Sequence, residues 1–572
     1  TGGLPTQDLG RTGLAISQMT PGLLYSMYVG ANSQLFNIYK TTDSGISWDT
    51  IPNSEENNFL SAGALGGFGW YFGQIRVNPT NDDDIFLLGV DLWRTVNGGE
   101  FWYQAAPPWF LYDVHADKHD LQFTASGNIY LGTDGGLYNT TNNGDNWNDL
   151  ENIPTTQFYR VAYNPHQPDF YYGGAQDNGT TGGNEDGINN WERIFGGDGF
   201  QAIFHPDIPE VYYVETQNGN ITMTLDGGLS YESGDMGIEF SDRRNWDMPY
   251  IMNPQNPNTF YAGTFRMYRS TAGIVPFYES ISERLTDTIG PPPDRSANHN
   301  ITTIIQSNLD TNYVYVGTSD ANIWRSLDNG STWEEITNDL PQRYVTDVKA
   351  SPTFTNGVYV AHSGYKDNDN IPHLHYSEDN GDTWTDISED LPQLAINDIY
   401  ILPNHQDSVI FVGTDGGVYA TLNGGENWER MGNNMPFIPV YDMVFNPVKK
   451  ELVAGTFARS IVSYSIDSLL FMAPPDTVDT PTNEQFLVKQ PALKIYPSPA
   501  MDEITVGFYN SEFGKSSELV ILDASGKLVL QTSFQQDGEI VEKLDISNLV
   551  AGNYFIKVKT RHTIRSGQFL KH

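Results

Sequence analysis

Seven times along the chain an apolar run ends in the same octet: a hydroxyl residue first, Asp or Asn third, glycine fifth and an aromatic eighth. The clearest copy is "SLDNGSTW" at 326–333. Close copies are "TTDSGISW" (41–48), "TVNGGEFW" (95–102), "TTNNGDNW" (140–147), "SEDNGDTW" (377–384) and "TLNGGENW" (421–428), and a weaker one is "TLDGGLSY" (224–231). Self-similarity at a period of roughly 40–55 residues constrains the fold more than any other feature, because it demands a repeat architecture. The unit around each octet reads alike. One apolar strand ends near Asn-Pro, as in "IRVNPTNDDD" and "MVFNPVKKEL", and a second ends near Gly-Thr, as in "VYVGT" and "IFVGT". A third strand runs into the octet, and its aromatic begins a fourth, as in "WEEI" and "WTDI". Four short antiparallel strands with tight turns make one blade of a β-propeller.

The octet has a local reason to recur. Its third residue (Asp43, Asn97, Asn142, Asp226, Asp328, Asp379 or Asn423) can accept hydrogen bonds from backbone amides of the turn. The glycine takes a positive φ without steric cost. The aromatic (Trp48, Trp102, Trp147, Tyr231, Trp333, Trp384 or Trp428) is large enough to pin the hairpin. These octets resemble the Asp-box, or BNR repeat, of sialidases, sortilin-type receptors and family 74 glycoside hydrolases. The resemblance implies a structural fastener at the blade periphery, away from any ligand site.

Ten blade-like units are countable over residues 1–466, two with degraded octets and the last with three strands and none. They fit either two seven-bladed propellers, partly truncated, or one ten-bladed ring. The first is favoured. Residues 1–10 look too short and glycine-rich to close a ring, which suggests that residue 1 is not the original start. Residues 467–490, rich in proline, threonine and acids, read as a linker. Residues 491–572 alternate with period two and read as a small β-sandwich. Tyr496-Pro497-Ser498-Pro499, "LDASGK", "LVAGNYFIKV" and the terminal Lys571 resemble the type A C-terminal sorting domain of the Bacteroidetes type IX secretion system. That resemblance implies an address read by the translocon, and an exported protein at the cell surface or outside the cell.

Charge narrows the partners. The chain carries 31 basic and 71 acidic residues, a net charge of −40. Residues 491–572 hold 9 of each, so the whole imbalance lies in 1–490. Such a surface repels phosphate backbones and anionic membranes, which argues against nucleic-acid binding. No stretch approaches the roughly 18 uninterrupted apolar residues of a bilayer span, which argues against membrane insertion. With no cysteine, disulfides and thiolate metal sites are excluded.

Three stretches are candidates for chemistry. In "LYDVHADKHDLQF" an extended strand would put Asp113, His115, Asp117 and His119 on one face, as a divalent-metal site or an axial polar network. Calcium is the cofactor to consider. The turns "GGAQDNGT" (173–180) and "FGGDGFQAIFHP" (195–206) carry Gln176, Asp177, Asn178 and Asp198. All three stretches resemble patterns in bacterial Asp-box propellers related to sortilin and often labelled glycosyl hydrolases; they occupy neighbouring units, so they could converge on one propeller mouth. Trp70 and Trp109 are candidate sugar platforms. Glycoside hydrolysis needs two carboxyl groups about 5–10 Å apart across a cleft, and Asp117, Asp177 and Asp198 are the candidate acids. The arginine cluster of sialidases has no Arg-Ile-Pro counterpart here, and sortilin's cysteine-rich module has none either. The expected activity is binding of a protein, peptide or glycan at a propeller face. The alternatives are hydrolysis of a β-glucan or xyloglucan-like polymer, and a structural role in a surface assembly.

Overall fold

The computed structural model describes every residue except 1, 7–8, 52–63, 112, 152, 188–190, 288–298, 366–367, 433, 471–492, 511–516, 524–526, 535–537 and 560–563. Two compact units are present, Thr1–Phe471 and Met472–His572. Among the described residues no helix is long and apolar enough to cross a membrane.

The first unit is a β-propeller array of nine four-stranded antiparallel sheets and a final three-stranded one. In chain order they span residues 9–50, 74–104, 118–149, 160–195, 202–233, 250–280, 301–335, 344–386, 396–430 and 440–465. Second strands such as Val314–Thr318 and Ile410–Thr414 are buried at every position. Each lies inside its sheet and between neighbouring sheets, which explains why "VYVGT" and "IFVGT" are apolar runs rather than alternating ones.

Sheets four to ten close on themselves. The innermost strands of the seventh to tenth sheets carry a β-bulge at one shared position, before Thr303, Asp347, Asp398 and Asp442. The bulge re-aims two successive side chains at the next sheet. The bulged Thr302, Thr346 and Asn397 donate to the carbonyls of Val345 (2.6 Å), Ile396 (2.7 Å) and Val440 (3.1 Å). The following acids accept neighbouring backbone N–H groups, Asp347 from Ile399 (3.0 Å) and Asp398 from Met443 (2.7 Å). Asp442 then accepts from Val161 at 2.8 Å, which returns the series to the fourth sheet. Phe158 N–H to Thr456 O and Asn446 Nδ2 to Pro168 O, at 3.0 and 2.7 Å, complete that seam. The first three sheets precede this ring, the first packed on the second through Met27 and Ile75, the second on the third through Phe86 and Leu121.

Each octet is a turn with one bonding scheme. In the seventh sheet Ser326 Oγ donates to Asp328 at 2.8 Å and accepts the Gly330 N–H at 2.7 Å. Asp328 accepts the Thr332 N–H at 2.8 Å and its hydroxyl at 2.7 Å. The Asn-bearing copies keep the backbone bond, as from Asn427 N–H to Asn423 at 3.2 Å. Both the fourth and fifth residues are left-handed, with φ of 59° at Asn329 and 84° at Gly330, so Asn, Gly or Ser fills the fourth place. The aromatic works across sheets. Trp147, Trp333, Trp384 and Trp428 donate from Nε1 to Ala105, Ile281, Ile336 and Ile387, each just past the outer strand of the preceding sheet. The outer strand itself starts one residue after the aromatic, as at Glu334–Glu335 after Trp333.

The sequence expected a linker at 467–490. It opens with a helical turn, Asp467–Leu470, whose Leu469 and Leu470 pack on the tenth sheet; the rest lies outside the described residues. The second unit holds a three-stranded and a four-stranded antiparallel sheet around Ile504, Val506, Ile521 and Ile556. Strand Gly552–Lys559 alternates buried and exposed residues, the pattern of one face turned to a core.

Candidate functional site

The site forms where the third sheet meets the fourth. Strand Lys118–Phe123 starts later than the sequence suggests, and residues 113–117 are not extended. Asp117 has a left-handed φ of 64°. Its N–H bonds to Val90 O at 3.1 Å, and the buried Lys118 holds the same carbonyl through Nζ at 2.7 Å. The expectation that Asp113, His115, Asp117 and His119 share a strand face is therefore corrected. Asp113 is exposed. The His115 ring nitrogens lie 3.1 Å from Ala116 O and 3.0 Å from Asp177 O, so backbone carbonyls occupy both. A Cβ on Gly135 would lie 2.2 Å from that ring, so glycine is required beside it.

The fourth sheet contributes the turn between Tyr171–Ala175 and Gly179–Gly183. Asp177 is left-handed at φ 60°, and its N–H bonds to Asp198 Oδ1 at 2.7 Å. Asn178 Nδ2 reaches Asp134 O at 3.0 Å, and Tyr159 OH donates to Gln176 at 2.9 Å. Asp198 is buried. The neighbouring glycines are dictated by backbone contact: a Cβ on Gly174 would meet Phe200 O at 2.1 Å, and one on Gly199 would meet Gly179 O at 2.2 Å.

These turns bring the carboxylates of Asp117, Asp134 and Asp177 together, one oxygen of each lying within 4.8 Å of the others. His119 Nε2 sits 2.5 Å from Asp134 Oδ1. Tyr71 stands edge-on to His119 with centroids 5.0 Å apart, and Trp70, 63% exposed, leans on Tyr71 at 5.4 Å. Trp109 opens the short turn Trp109–Leu111, and its side chain lies outside the described residues. Asp134 was missing from the sequence candidates. Its signal is the "GTDGG" at 132–136, repeated at 413–417 with Asp415.

Electrostatics follow from crowding. Burial, then the charges of Asp198, Asp134 and Asp117, push the Asp177 carboxyl up to about 8. Burial and Asp134 also raise Asp117, and the hydrogen bond to Asp134 raises His119. Three oxygen donors this close suit a hard divalent cation such as calcium. Among the described residues a second group, the carboxylates of Asp287 and Asp320 with the His299 imidazole, lies at the seventh sheet. The pH dependence has a definite sign. The unfolded chain releases the Asp177 proton near 3.8 and the folded chain near 8, so stability is full below that window and falls as pH rises through it. Metal-free protein should lose melting temperature between pH 5 and 8. Asp177→Asn should flatten the decline in a thermal melt series, and an unchanged slope would contradict the crowding.

No curated protein matches the sequence. Residues 494–571 match the family described as the secretion system C-terminal sorting domain. They form a type IX sorting domain. The chain is thereby exported across the outer membrane to the cell surface or extracellular space. Among solved structures, the chain is similar to YCF48 from Cyanidioschyzon merolae at 12% identity and TM-score 0.42, covering 55% of this chain and 98% of that one. The extracellular domain of BT4673 from B. thetaiotaomicron matches at 11% and 0.41, covering 99% and 87%. The Niastella koreensis GH74 enzyme matches at 14% and 0.21, covering 80% and 90%. At these values the likeness concerns fold alone.

Proposed function

We propose that this is an exported Asp-box propeller protein that binds a glycan at the acidic site between the third and fourth sheets. In this reading sheets four to ten are one seven-bladed propeller, and sheets one to three belong to a second. The octets are its fasteners, and residues 491–572 engage the secretion translocon. One observation carries the ligand assignment: an exposed Trp70–Tyr71 pair stands beside the cluster of Asp117, Asp134 and Asp177. Aromatic faces stack on sugar rings, and carboxylates, alone or through a cation, take their hydroxyls. Binding is favoured over hydrolysis because the three carboxylates cluster on one point, one oxygen of each within 4.8 Å of the others, as in a cation site rather than as a pair flanking a cleft. Asp198, the remaining candidate acid, is buried and bonded to the Asp177 backbone.

A second reading keeps one observation in its favour. Burial and the neighbouring carboxylates push the Asp177 carboxyl up to about 8, the direction that favours the protonated form a general acid needs in β-glucan or xyloglucan hydrolysis. The test is a polysaccharide and glycan panel probed with the wild type and Trp70→Ala. Trp70→Ala should weaken binding of the captured glycan by about tenfold or more, as loss of one stacking platform does, with an unchanged melting temperature. Equal binding by both proteins would contradict the site.

A further inference from the structure

Three of the chain's 11 histidines meet on one face of the eighth sheet, away from the acidic cluster. His362 lies near the end of strand Val358–Ser363, and His373 and His375 lie on its neighbour, His373–Ser377. The register sets His362 directly opposite His373. Residues two apart on a strand share a face, so His375 joins them. The rings stand edge to face, with the His362 centroid 6.5 Å from that of His373 and 6.0 Å from that of His375.

His362 is fully buried, and neither of its ring nitrogens has a hydrogen-bond partner; the buried Nδ1 of His375 has none either. A neutral imidazole carries one N–H and one lone pair, and leaving both unsatisfied inside a protein is costly enough to require an explanation. His373 is held from behind. Its Nε2 lies 3.0 Å from Asp369 Oδ2, and Arg343 Nε donates to the same oxygen at 2.9 Å. A proton on Nε2 leaves Nδ1 as the donor, and a carboxylate behind a histidine is the usual support of a metal-binding ring. Asp386 pairs with His375 across the outer strand.

We propose that His362, His373 and His375 bind a zinc ion or a similar imidazole-preferring divalent transition metal, with Asp386 or water at the fourth position. Two histidines spaced His-x-His on one strand, with a third on the adjacent strand, give three nitrogens on one face. Zinc–nitrogen bonds of about 2.0–2.1 Å would place tetrahedral ring centroids roughly 5 Å apart. The rings are more open than that, and they do not bring one nitrogen each within 4.8 Å of the others, so binding must draw the three imidazoles together. Imidazole donors select zinc, nickel or copper over calcium and magnesium, which separates this site from the all-carboxylate one.

The test uses the full chain, stripped with EDTA and titrated with zinc chloride against a chromogenic chelator. Wild type, Asp177→Asn and Asp320→Asn should share one zinc equivalent that His375→Gln and His362→Leu bind at least 100-fold more weakly. His362→Leu needs no hydrogen-bond partner and keeps the volume of the site, so it reports on a folded protein. The melting temperature should rise with zinc in the first three proteins by an increment missing in the last two. Cobalt in the same equivalent should show the strong visible bands of four-coordinate geometry. Equal zinc affinity and stoichiometry in all five proteins would overturn the proposal, as would a cobalt spectrum of the six-coordinate aquo ion.

Discussion

Deletion of residues 491–572 should abolish surface delivery while leaving the propeller unit folded. Each unit has a core of its own, the first with clusters around residues such as Met27, Tyr250 and Val440, the second around Ile504, Val506, Leu519, Ile521 and Ile556. The sorting domain is an address, so its loss should move the protein from the surface or medium to the periplasm, with surface signal falling to background. Fractionation, with a thermal melt of the retained protein, checks both halves. Surface delivery at the wild-type level would contradict the assignment.

Asp442→Ala should be the most destabilising single change in the ring. Asp442 accepts the Val161 N–H at 2.8 Å and faces Arg160 Nη1 at 3.5 Å, across the seam between the tenth and fourth sheets. Arg160 also bonds to Asp247 at 2.7 Å, so removing Asp442 leaves a largely buried guanidinium with half its compensation. The expected loss is about 3 kcal/mol, from an orphaned backbone donor and an under-compensated charge. Arg160→Met combined with Asp442→Leu should recover part of it, because an apolar pair has no desolvation cost. A denaturant midpoint for Asp442→Ala indistinguishable from wild type would show that this seam does not hold the ring closed.

Local features were the most legible in the sequence. The octet's hydroxyl, Asp or Asn, glycine and aromatic each answer a need within eight residues, so their pattern survives without knowledge of the neighbours. Its second left-handed position, filled by Asn329 or Gly98, was hidden because Asn, Ser and Gly all satisfy it. The tryptophans' bonds to the preceding sheet depend on how sheets pack, which no octet records. The same limit governs the site. "HADKH" alternates like a strand, but the left-handed Asp117 breaks it, and the tie to Val90 that holds this turn comes from another sheet. Asp134 was passed over because "GTDGG" looks like an ordinary strand end, and its partners Asp177 and His119 become neighbours only through packing. The histidine trio needed the pairing of His362 with His373, a register that neither strand specifies alone.

Binding without turnover is the central claim, and product analysis tests it most directly. The glycan captured by the wild type should be incubated with the protein at pH 5 to 8 and assayed for new reducing ends. None should appear, and Asp177→Asn should alter affinity alone. Release of reducing ends by the wild type, lost in Asp177→Asn, would contradict the binding assignment and make Asp177 a catalytic acid.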